Sequence, residues 1–181
     1  AHFDTTLDSL KTRFGHQVAV VQFPVKTGEG FSEIVDVMKM KLLHFTADGN
    51  YTEAPIPDEH MARAEQLHRE LVEIVAESDD TLMEEFFASD GQLEESHFSG
   101  GIHESLAHRK LFPVLCAAAE KNVGTRRVME FILTNAPAPE DHVADVRGIN
   151  PETKQEVSLS AAPPDATTVF VFKTVSEPHL G

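Results

Sequence analysis

The hydrophobic period of this chain changes at Pro57, and that change limits the folds open to it. Before Pro57, apolar residues come in short dense runs separated by turn residues, the pattern of strands. The run "QVAVVQF" (17–23) predicts a mostly buried strand ended by Pro24, because proline cannot donate to a ladder. "FSEIVDVMKMKLLHF" (31–45) predicts two strands, followed by a turn at "ADGN" (47–50) and a short strand at "YTEA" (51–54). Strands joined by such close turns predict an antiparallel meander, not βαβ units.

After Pro57, Met61, Ala64, Leu67, Leu71 and Ile74 or Val75 recur three or four apart, which predicts an amphipathic helix over 58–77. Glu70, Glu73 and Glu77 form a stripe away from that apolar face. A second helix is expected over 79–89, capped by an Asp and burying Leu82, Met83, Phe86 and Phe87. A third is expected over 93–109, although Gly100 and Gly101 weaken it. "LFPVLCAA" (111–118) predicts a strand with an early proline. "GTRRVMEFILTN" (124–135) predicts a helix with Val128, Ile132 and Leu133 toward the core. At the other end, Leu7, Leu10 and Phe14 predict a short helix, capped by Thr5 or Thr6 and stopped by Gly15. The expected class is α+β or α/β, an antiparallel meander sheet with packed helices.

"APAPEDH" (136–142) has the composition of a linker stiffened by prolines. Beyond it, "TTVFVFKT" (167–174) is the clearest strand in the sequence. Only "VSEPHLG" follows, too little to supply the partners such a strand needs. The chain also starts without Met, so it reads as a piece of a longer polypeptide.

With 41% hydrophobic and 25% charged residues among 181, the composition is that of a soluble globular protein with a sizeable core. No apolar run approaches the ~18–20 residues of a membrane span, and the first residues do not read as a signal peptide. A single cysteine, Cys116, excludes an internal disulfide and fits a reducing, cytoplasmic setting. Thirty acidic residues against fifteen basic ones give a net charge of −15, which repels RNA and suits a basic protein partner.

The residue patterns assign no reaction. His103 and His108 are five apart on one predicted helix and point in different directions, while His60 and His68 are two turns apart. No zinc-protease, C-x-x-C or G-x-S-x-G pattern is present. Cys116 has no cationic neighbour in sequence to activate it, so it reads as a structural thiol. "GEG" (28–30) lacks the setting of a phosphate loop, and "DVRG" (145–148) matches D-x-x-G with the wrong flanks.

Several stretches in succession nevertheless resemble bacterial elongation factor G, a translational GTPase. "VVQFPV" with "GFSEIVDVMKMK" is similar to the start of that family's G-prime insert. "APIPDEHMARAEQLHRELVEIVAESDDTLMEEFF" resembles the insert's long helix and the helix after it. "VLCAAAEKNVGTRRVMEFILTNAPAPED" resembles the last strand, guanine loop and last helix of the GTPase domain. "TTVFVFKTVSEPHLG" resembles the first core strand of the following β-barrel domain. The order is kept over nearly the whole chain.

The resemblance implies four segments: a GTPase-domain helix (1–16), a G-prime-like insert (17–110), the last strand, guanine loop and last helix of a P-loop GTPase domain (111–137), and a linker with the start of a β-barrel domain II (138–181). It implies a piece of a factor that promotes ribosomal translocation using GTP, GDP and Mg²⁺. The phosphate loop, both switches and N-K-x-D would lie upstream. This chain alone is therefore expected to hold no cofactor and to hydrolyse no GTP. The family's guanine loop reads S-A-x. Ala118, Ala119 and Glu120 stand in its place, with the Ala119 N–H facing guanine O6 and Ala118 replacing the serine, which points to a divergent paralogue. In the insert, Glu65, Glu70, Glu73 and Glu77 are the expected contacts for the lysines of the ribosomal stalk protein's C-terminal domain. The alternatives are a GTPase-impaired ribosome-binding factor, a ribosomal-protection-type relative, or an acidic interaction domain outside translation.

Overall fold

The computed structural model describes residues 2–139, 141, 147–159, 169, 171, 173 and 174. The chain divides into two compact units, Ala1–Ala136 and Pro137–Gly181. The first is a mixed α+β unit with an antiparallel sheet and packed helices.

It begins with α1 (Phe3–Phe14), which ends on Gly15 at φ +75°, its N–H bonded to the Lys11 carbonyl. Neither Thr5 nor Thr6 caps it. His2 holds the cap position, and the Thr6 hydroxyl donates back to the His2 carbonyl at 3.0 Å. The "QVAVVQF" run is likewise not one strand but two, β1 (Val18–Val20) and β2 (Gln22–Pro24). Val21 is the changeover: its N–H donates to Val114, and its carbonyl accepts from Val37. A single apolar run thus feeds two sheets, which explains why it is buried from Val18 to Phe23.

The meander is β2–β3–β4–β5, all antiparallel, with β3 (Glu33–Asp36), β4 (Lys41–Phe45) and β5 (Tyr51–Ala54). Alternation divides its side chains between two cores. Phe23, Val35 and Leu42 face the larger one, shared with Leu67, Leu71 and Val75 of α2 (Asp58–Ala76). Ile34, Leu43 and Phe45 face a smaller one closed by Val123. The sheet is therefore buried on both sides along β2, β3 and the middle of β4, while β5 stays largely exposed, and a one-residue slip would exchange the two sets.

Asp79 caps α3 (Asp80–Ala88), accepting from the N–H groups of Thr81 and Leu82 at 2.8 and 3.3 Å. The expected buried face of α3 is only partly realised, since Phe87 is 75% exposed. The glycine pair does not break α4 (Glu95–Ala107). Gly101 lies so close to α2 and α3 that a Cβ there would sit 2.6 Å from Val75 Cγ1 and 2.8 Å from Leu82 Cδ1. The lost helix propensity is offset by that close approach.

The strand expected over 111–118 is three residues long, β6 (Phe112–Val114), and pairs in parallel with β1. Pro113 lacks a donor, and after Val114 the chain leaves the ladder for an irregular loop. α5 (Thr125–Asn135) is turned differently from expectation. Arg127, Phe131 and Asn135 are buried, Val128 is half-buried, and Ile132 and Leu133 are exposed.

In the second unit, β7 (Arg147–Ile149) and β8 (Glu156–Ser158) form an antiparallel hairpin. The expected strand over 167–174 falls outside the described residues apart from Val169, Val171, Lys173 and Thr174.

Candidate functional site

After β6 the chain makes a compact excursion before α5. The N–H of Ala118 donates to Val123 at 2.8 Å, and Val123 donates back at 3.2 Å. Between them Ala119–Lys121 form a single 3₁₀ turn, left through Asn122 at φ 55°. The turn is closed by the N–H groups of Lys121 and Asn122, which donate to Ala118 and Ala119. The N–H groups of Ala119 and Glu120 take no part in closing it, as expected at the start of a helical turn. Ala119 and Glu120 are exposed, while the Ala118 methyl packs against the smaller core.

This loop forms one wall of a cleft of about 650 Å³. Leu7 and Leu10 of α1 and the Thr27–Gly28 turn line other sides. Apolar walls with a few backbone donors suit the edge and face of a planar heterocycle. Cys116 also borders the cleft, with its Sγ 3.5 Å from the Gln22 carbonyl. Burial pushes its thiol up to about 12, so it remains protonated and unreactive at neutral pH.

Beneath the loop lies a buried polar group that the sequence reading missed. The Arg127 Nε donates to Asp36 Oδ2 at 2.7 Å, and Gln22 Nε2 donates to the same oxygen at 3.3 Å. The backbone N–H of Lys39 satisfies Asp36 Oδ1 at 3.0 Å. Gln22 Oε1 in turn accepts from the Cys116 N–H at 3.2 Å. Gln22 and Asp36 are fully buried and sit opposite each other in the β2–β3 register. The available signal was polar residues interrupting apolar runs, Gln22 after "VAVV" and Asp36 within "IVDV". Their partner Arg127 stands 91 positions from Asp36, beyond any local pattern.

The acidic residues of α2 do not form one stripe. At 3.6 residues per turn Glu70, Glu73 and Glu77 share a face, whereas Glu65 is displaced by about a quarter turn or more. Glu65 instead borders a recess with Met38, Met40 and Arg69. Glu70 pairs with Lys11 at 3.3 Å and accepts from Gln66, and Glu77 lies 3.7 Å from His16. Glu73 is exposed. Among the described residues no three of His, Cys, Asp and Glu gather as a metal site, and no helix is long and apolar enough to cross a membrane.

No family model matches the chain. A crystal structure of a protein from Thermus thermophilus matches it with a TM-score of 0.71 and 23% identity, over 81% of this chain. The two share a fold. The chain spans 22% of that neighbour's length, so the likeness concerns one part of a much larger protein.

Proposed function

We propose that this chain is part of an elongation-factor-G-like translation factor that promotes ribosomal translocation, and that its 118–120 loop forms the guanine-facing edge of a nucleotide site. The observation carrying this reading is the tight turn after β6, which leaves the Ala119 and Glu120 N–H groups out of its own hydrogen bonds beside an apolar cleft. A base edge offers the carbonyl acceptor that such donors need. GTP or GDP would meet this loop only through the base. A phosphate cradle and Mg²⁺ ligands, which the resemblance puts upstream of this chain, would come from the longer factor. The exposed acids of α2, Glu73 foremost, are the proposed contacts for a lysine-bearing stalk-protein domain.

Titration of the longer factor with fluorescent GDP and ADP tests this, and preference for GDP is the expected result. Ala118→Ser should then tighten GDP by about twofold to tenfold, the worth of one added hydrogen bond. A factor that binds neither nucleotide would favour the second reading, a GTPase-impaired ribosome-binding factor. The 181-residue chain alone should turn over no GTP above a buffer control.

A further inference from the structure

The Gln22–Asp36–Arg127 group is costly as a stability device. Taking an ion pair out of water costs several kcal/mol per ion, and apolar replacements of similar volume are often as stable. Its geometry indicates another use. The loop over 116–124 is tied to this group at both ends. At its start, the Cys116 N–H donates to Gln22 Oε1. At its end, Arg127 in the first turn of α5 donates to Asp36. Gly124, which begins that helix, lies directly against the Cys116 carbonyl, closing the loop across its base. The middle of the group, Gln22 and Asp36, belongs to the meander and not to the loop.

We propose that Gln22, Asp36 and Arg127 are positioning residues through which the meander sets the geometry of the 116–124 loop. They touch no ligand. They fix where the Ala119 and Glu120 N–H groups point, and disturbance of the β2–β3 edge is thereby transmitted to the loop. The relevance to nucleotide binding rests on the function proposed above, whereas the positioning itself does not.

Residue-resolved hydrogen exchange on the 181-residue chain tests the proposal without any nucleotide. Gln22→Met keeps the side-chain volume and leaves Asp36 bonded to Arg127 and Lys39, but cuts the link to Cys116. The amides of Cys116, Lys121 and Asn122 should then exchange roughly tenfold faster, the effect of losing one hydrogen bond, while those pairing β4 with β5 stay unchanged. The double variant Asp36→Asn/Arg127→Met removes both charges together and should free Val123 and the start of α5 in the same way. Unchanged loop exchange, or uniform acceleration across the whole unit, would overturn the proposal, since a merely structural role loosens everything alike. In the longer factor, Gln22→Met should weaken GDP binding severalfold. If the unsubstituted factor fails to bind GDP, the nucleotide reading fails, and the exchange data alone decide the positioning role.

Discussion

A methyl group at Gly124 would collide with the Cys116 carbonyl oxygen, well inside any van der Waals contact. The backbone there also has φ +77°, a conformation that side chains disfavour. Both conditions come from the same event, the start of α5 folding back over the base of the loop. Because the obstacle is backbone, no rotamer change relieves it. Gly124→Ala should therefore destabilise the unit by at least about 2 kcal/mol, with the largest loss of exchange protection in 116–124. Thermal unfolding followed by circular dichroism measures this, and a Tm within about one degree of the unsubstituted chain would contradict it. Cys116 reports the same packing. Its thiol, pushed up to about 12 by burial, should react with a neutral-pH thiol reagent in the unfolded chain but scarcely in the folded one.

At the scale of elements, the junction of α3 and α4 turns on one carboxylate. Glu85 accepts from the Glu94 N–H at 2.7 Å and meets His97 Nδ1 at 2.5 Å, joining the two helices across the turn between them. The Glu94 bond first and the His97 bond second hold Glu85 below the usual carboxylate range. The hydrogen bond to Glu85, then its charge, raises His97. The contribution of Glu85 is full above its ordinary 4.5 and is lost as pH falls through its lowered folded value. That of His97 is full below its ordinary 6.5 and is lost as pH rises through its raised folded value. Protection of the Glu94 amide, corrected for intrinsic rate, should thus be greatest between 4.5 and 6.5 and decline above it. In His97→Gln the alkaline decline should vanish. A flat profile in the unsubstituted chain would refute the assignment.

The elements also show what a local pattern can and cannot reveal. The meander, α2 and the Asp79 cap were legible because period, turn residues and capping act within a few positions. The division of "QVAVVQF" at Val21 was not, because it depends on strands arriving from residues 33–36 and 112–114. The rotation of α5 was hidden for a similar reason. Apolar spacing turns Ile132 and Leu133 inward, but the ion pair of Arg127 with Asp36 turns them out. The loop itself was legible as a break from strand to small residues, while its anchoring through Gln22 was not.

At the scale of the whole molecule, a net charge of −15 gives the chain a negative far field, attractive to a basic partner over roughly a Debye length, about 8–10 Å at physiological salt. Which acids steer a docking partner depends on the charges around them. Glu70 and Glu77 share a helical face with Glu73, but Lys11 lies against Glu70 and His16 near Glu77. Substituting either Glu73 or Glu70 removes one unit of charge, and substituting Glu70 also leaves Lys11 unpaired. In stopped-flow association with a lysine-bearing stalk-type domain, Glu73→Gln should slow the on-rate by roughly twofold to fivefold at low salt. Glu70→Gln should slow it at least as much, because it removes the same unit of charge and leaves Lys11 to repel the partner's lysines, and both effects should fade at high salt. Dissociation should change little in either variant, since steering acts on encounter. Clearly weaker slowing by Glu70→Gln would mean that the partner approaches over Glu73 and not over the Lys11–Glu70 pair. Slowing by neither would leave the face of α2 as a solvated surface and overturn the proposed docking there.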